Sequence, residues 1–111
     1  MPANTTILYS TNEKDAWFDI DYYIKVHMPL VVEKWGPHGL LEWQVLKFMA
    51  PSDGPQPAFS IGAFCTWESL EGAKKAVESP ESKVVFDDVV NYSNIKPVHH
   101  LTATVEGSWR K

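Results

Sequence analysis

The chain has 111 residues, a length that suits one domain with a core of its own and leaves no room for two of ordinary size. Its 44% apolar and 22% charged residues are a globular balance, which argues against a disordered chain. The formal charge is −4, with ten scattered Lys and Arg forming no basic stripe, and no apolar run reaches the ~20 residues of a bilayer span, so neither nucleic acid nor membrane is expected as a partner. The opening Met1-Pro2-Ala3-Asn4-Thr5-Thr6 lacks a basic region followed by an apolar stretch, so no secretion signal is read. Cys65 is the only cysteine; an internal disulfide is impossible, and a reducing, cytoplasmic setting is the simplest expectation.

In chain order, a first strand is predicted over Thr5 to Ser10, with Ile7 and Tyr9 opposite Thr6 and Leu8. Asp19 then has the chemistry of a helix N-cap, with Asp21 in the first turn. Ile20, Ile24, His27, Val31 and Trp35 recur at helical spacing and define one face, flanked by Tyr23, Val26 and Leu30. Pro29 has no backbone donor, so a kink or break is expected near Met28. Gly36-Pro37-His38-Gly39 ends the helix. A second strand follows over Leu40 to Met49, with Leu41, Trp43 and Val45 on one face. Asp53-Gly54-Pro55-Gln56-Pro57 is turn chemistry, and Phe59 to Trp67 alternates as a third strand. Ser69 caps a helix running to Glu78, and Ser79-Pro80 starts a second segment through Val84, Val85 and Phe86. Asn91 to Pro97 reads as a loop. The last strand is Val98 to Val105, with His99, Leu101, Ala103 and Val105 on one face.

This β-α-β-β-α-β order is the split βαβ, or ferredoxin-like, arrangement: an α+β fold with both helical regions on one face of a four-stranded antiparallel sheet. The opposite face would carry Thr6 and Leu8, then Gln44, Leu46 and Phe48, then Phe64, then His100, Thr102 and Thr104. Leu8, Leu46, Phe48 and Phe64 together would form an apolar patch, which a second copy of the chain is expected to cover in a homodimer.

The segment Asp21-Tyr22-Tyr23-Ile24-Lys25-Val26-His27-Met28-Pro29-Leu30 resembles the signature helix of the EthD family, with its Tyr pair, a His four residues later and then Pro-Leu. The opening strand ending in Leu8-Tyr9, the Phe64 to Leu70 step and the Val85-Phe86-Asp87-Asp88 stretch fit that pattern too, so the resemblance covers nearly the whole chain, residues 1–111 as a single EthD-like domain. It implies the dimeric α/β-barrel superfamily, in which two ferredoxin-like units place their sheets face to face and each binds a ligand between helices and sheet. Relatives there include cofactor-free monooxygenases, polyketide cyclases, muconolactone isomerases and haem enzymes; fold alone does not choose among them.

His27 is the first candidate for chemistry. Its place on the apolar helix face points the imidazole toward the sheet, where it suits acid/base work near neutral pH. A core histidine bonded to a backbone carbonyl near Pro29 fits the same spacing. Tyr23, four residues earlier, can meet His27 and orient it, and Tyr22 can bond a substrate oxygen; both can equally be packed side chains. Trp35, Trp43 and Trp67 suit a pocket wall or a core. His99, on the strand face assigned to the helix side, would reach the layer of His27, and His100 would point away. Asp87 and Asp88 read as solvated acids in a turn, and Cys65 as core rather than nucleophile. No metal-ligand spacing or dinucleotide fingerprint occurs; no metal or cofactor is expected, although a noncovalent haem on one His stays open. Together with these residues, the resemblance implies a small cofactor-independent enzyme acting on an apolar, aromatic or polyketide-like, oxygenated compound by dehydration, isomerisation or oxygenation. Noncatalytic ligand binding and a purely structural dimer are the alternatives.

Overall fold

A computed structural model describes residues 2–96 and 99–111. Four strands, β1 (Ala3–Tyr9), β2 (Leu40–Lys47), β3 (Ile61–Trp67) and β4 (His99–Thr104), form one antiparallel sheet in the order β2-β3-β1-β4. That is the ferredoxin-like order, with the first and third strands in the middle. Two helical regions pack on one face. The first joins α1 (Ile20–Tyr22), a π-helical turn (Tyr23–His27) and α2 (Met28–Trp35); the second joins α3 (Leu70–Glu78), α4 (Ser82–Asp87) and a 3-10 turn (Asp88–Asn91).

The sheet register decides which side chains meet the helices. Ala3, Thr5, Ile7 and Tyr9 pair with Trp67, Cys65, Ala63 and Ile61, and this double row forms the floor of the core. Trp43 and Val45 continue it on β2. Leu41 does not: a bulge between Leu40 and Glu42 turns it outward, and Leu40 takes the inward place. On β4 the phase is opposite to the expected one. His100 pairs with Ile7 and Thr102 with Thr5, so His100 and Thr102 face the helices while His99, Leu101 and Ala103 face away. Val98, the expected start of this strand, and Pro97, the expected end of the loop before it, lie outside the described residues.

The first helical region is continuous rather than broken near Met28. Asp19 caps it by accepting the Tyr22 N–H at 3.0 Å. The Met28 N–H then bonds the Tyr23 carbonyl five residues back. Pro29 has no N–H to offer and its ring crowds the carbonyl four residues before it, and the wider π turn just upstream makes room for it. The wide turn also changes the buried face. Tyr23, His27, Val31 and Trp35 point inward at a constant step of four, with Met28 beside them, and Ile24 is left 37% exposed. Ser69 caps α3 as expected, accepting the Gly72 N–H at 3.0 Å. Ser79 does not cap α4; its hydroxyl turns back to the Ala76 carbonyl, and α4 begins after a turn at Pro80 and Glu81.

Candidate functional site

Between the sheet and the two helical regions lies a cavity of about 180 Å³. Ile7, Ala63 and Cys65 form its floor, Met28, Val31 and Trp35 one wall, and Val85, Phe86 and Val89 another. His27, Tyr9, Tyr23, Tyr92 and His100 bring polar atoms to this otherwise apolar space.

His27 sits where the π turn passes into α2 and is 4% exposed. Its Nδ1 lies 2.9 Å from Oδ2 of Asp88, the residue that opens the 3-10 turn after α4. The other carboxylate oxygen accepts the Tyr22 hydroxyl at 2.7 Å and the Asn91 amide at 2.9 Å. Burial of the Asp88 carboxylate favours its neutral form, but the bonds from Asn91, Tyr22 and His27 outweigh that and hold its pKa below the usual value. Burial lowers the His27 pKa against the opposing pull of Asp88. The stable pair is therefore an aspartate facing a neutral imidazole, with the ring proton on Nδ1 donated to Asp88. That leaves the Nε2 lone pair, which has no protein partner among the described residues.

An aromatic nest holds this ring. Tyr23 stacks on His27 with centroids 5.0 Å apart and planes 11° from parallel, and Tyr92 leans against it at 4.6 Å. The Tyr9 and Tyr92 hydroxyls bond each other at 2.9 Å. Burial raises the pKa of Tyr9, Tyr23 and Tyr92, so all three stay protonated donors at neutral pH. The Cys65 thiol is pushed up to about 11 by burial, which removes it as a thiolate nucleophile.

The sequence-predicted residues divide. His27, Tyr23 and Trp35 border the cavity. Tyr23 supports the imidazole by stacking, and the hydrogen bond that orients the ring comes from Asp88. Tyr22 does not line the cavity; it acts on Asp88 from behind, and that bond raises its own pKa. Trp67 lies beneath the cavity wall, 0% exposed, donating to Thr5 Oγ1 at 2.9 Å and packing against Trp35. Trp43 packs against the core from β2, away from the cavity. His99 is on the far sheet face beside Phe59, and its neighbour His100 takes the place expected of it, because the β4 register is shifted by one. Asp88 is no solvated turn acid: its side chain is 11% exposed and it is the centre of the network. Asp87 is the solvated one, paired with Lys83 on the surface. Tyr9, with its inward phase on β1, was open to discovery as a buried ring needing a polar partner. Asn91 closes the 3-10 turn and Tyr92 directly follows it, a short stretch with no periodicity to reveal them. No cluster of His, Cys, Asp and Glu fit to hold a metal ion occurs among the described residues.

No family model matches the sequence, and no curated protein matches it. Solved structures do. An EthD-like protein from Ralstonia eutropha superposes with a TM-score of 0.80 at 28% identity, covering 96% of this chain and 96% of that one. This chain is EthD-like. An ethyl tert-butyl ether D (EthD) family protein from Bacillus halodurans superposes at a TM-score of 0.69 with 19% identity, over 95% of this chain and 99% of that one. SnoaB, a cofactor-independent oxygenase from Streptomyces nogalater, does so at 0.57 with 11% identity, over 99% and 95%. The last two share the fold. In the EthD-like chain the signature segment is the stretch that carries the π turn, so the Tyr pair, His27 and Pro29 are linked by one piece of helix geometry.

Proposed function

We propose that residues 1–111 form one EthD-like domain and that it is a small enzyme, working without a cofactor, which moves a proton on an apolar oxygenated substrate. The observation that carries this reading is the His27–Asp88 pair at the cavity wall. The carboxylate fixes the imidazole tautomer, so Nε2 is free to take a proton from a bound molecule and give it back. His27 is then the general acid/base, and Asp88 is a positioning residue with Tyr22 and Asn91 behind it. Tyr23 holds the ring plane by stacking. Dehydration, isomerisation and oxygenation by substrate-derived electrons each start from such a proton transfer. SnoaB is a cofactor-independent oxygenase, in keeping with this class, and its low identity carries no more than that.

The active form is proposed to be a homodimer in the cytoplasm. The sheet face away from the helices bears Leu46 and Leu101, 44% and 52% exposed, with Leu8 and Phe64 between them. A second copy laid on this face would cover an apolar surface that is costly to leave in water. No helix among the described residues is long and apolar enough to cross a membrane.

The test is His27→Gln, with ligand binding and turnover measured side by side. Binding kept and turnover lost is the expected result. Unchanged turnover would remove the acid/base role and leave a ligand carrier using the same cavity.

A further inference from the structure

We infer that the cavity takes a neutral carbonyl compound about the size of one ring and seats its oxygen on the Tyr9–Tyr92 hydroxyl pair, an inference that rests on the proton-transfer reading of His27. Size is the first ground. The space is about 180 Å³, and an apolar cavity of about 150 Å³ is enough to hold benzene. A fused polycyclic ligand would have to force apart walls made by Trp35, Val31 and Val85.

Charge is the second ground. Among the described residues no Lys or Arg borders the cavity. The ionisable groups that do are His27 and His100, both with lowered pKa, three phenols with raised pKa and the neutral Cys65 thiol. Behind His27 stands the Asp88 carboxylate. A carboxylate or phosphate ligand would enter this space without a cation to meet it and with an anion nearby, which is strongly unfavourable.

The third ground is the placement of donors. The Tyr9 hydroxyl meets both the Tyr92 and the Tyr23 hydroxyls; the three own one proton each and their two mutual interactions use two, so one is left to donate to a ligand. The Tyr92 ring lies 4.6 Å from the His27 ring, so base and donor stand side by side on one wall. A ketone whose oxygen accepts the spare phenol proton brings its neighbouring C–H bond toward Nε2. His27 takes that proton. The C–H electron pair becomes the carbon–carbon double bond of the enolate, and the carbonyl π pair moves onto oxygen, where the phenol hydrogen bond meets the developing charge. Return of the proton from Nε2 to carbon closes the cycle, and nothing is oxidised or reduced.

The probes are acetophenone, benzoate and 2-acetylnaphthalene, titrated into the full chain and followed by NMR. Acetophenone is expected to bind at least about tenfold more tightly than benzoate, and about tenfold more weakly to Tyr92→Phe or Tyr9→Phe, the loss of one useful hydrogen bond. Circular dichroism checks that each variant is folded. Equal or tighter binding of benzoate overturns the neutral-ligand claim, tighter binding of 2-acetylnaphthalene overturns the size claim, and unchanged affinity in both folded Tyr variants overturns the oxygen seat. Deuterium uptake at the acetophenone methyl in D₂O separates the two readings. Tight ketone binding without protein-dependent uptake keeps the ligand class and sinks the proton-transfer function. Uptake lost in His27→Gln with binding retained supports both.

Discussion

Asp88 Oδ2 and His27 Nδ1 lie 2.9 Å apart although 61 positions separate the two residues in the chain. Both side chains are withdrawn from solvent, so the bond is made in a medium where it is strong and where losing one partner is costly. Asp88→Asn is expected to lower turnover about 100-fold, the scale of positioned acid/base help. It also removes the anion that raises the His27 pKa, so the acid limb of the pH–rate profile should move to lower pH. A merely structural Asp88 would weaken folding without moving that limb. Thermal denaturation should show a loss of about 1–3 kcal/mol for Asp88→Ala, which leaves Nδ1, the Tyr22 hydroxyl and Asn91 without their shared acceptor.

Acid should destabilise the protein in two stages. The folded His27 pKa is below its ordinary 6.5, so the unfolded chain binds more protons there, and stability falls as pH drops below about 6.5. The folded Asp88 pKa is below its ordinary 3.8, so its contribution is present above that value and is lost as pH falls through the folded one. Urea midpoints between pH 8 and pH 3 would show the two steps. His27→Gln should flatten the first and leave a later one; an unaltered first step would assign it to another group, His100 being the next candidate.

Gly72→Ala should destabilise the protein even though alanine is the better helix former. A Cβ on Gly72 would run into the His38 carbonyl, a backbone atom in the 3-10 turn Gly36–His38 that cannot swing away. The expected cost is about 1–3 kcal/mol, the usual range for overpacking. A rise in denaturation midpoint would show that α3 and this turn separate readily.

Leu101→Glu and Leu46→Lys, each on the sheet face away from the helices, should convert a dimer to monomers in native mass spectrometry while circular dichroism is unchanged. Dimers of undiminished stability in both variants would place the interface elsewhere.

Much of this architecture could be read from the chain. Period-two alternation places Ile7 and Tyr9 inward on β1, and Ala63 and Cys65 on β3, because those strands are central and one face is buried. The phase of β4 could not be read. It is an edge strand exposed along its length, so no burial pattern anchors it, and its apolar residues Leu101 and Ala103 belong to the second apolar face of the sheet rather than to the core. The one-residue error exchanged His99 for His100. The helix face was misread at Ile24 for a different reason: a period of 3.6 was applied to a turn that is wider. Asp88 escaped because nothing local separates it from Asp87; one carboxylate faces Lys83 and water, the other His27, and only tertiary packing makes the choice.

The π turn from Tyr23 to His27 makes this helix unequal in its response to changes of length. It holds surplus backbone, so loss of one residue between Asp19 and Tyr23 has slack to draw on, and the segment can tighten to ordinary pitch while Val31 and Trp35 keep their seats. Loss of one residue after Met28 has no such reserve and would swing everything beyond it by about 100° around the axis. Natural length variation in proteins built this way should therefore gather at the beginning of the helix and avoid its second half.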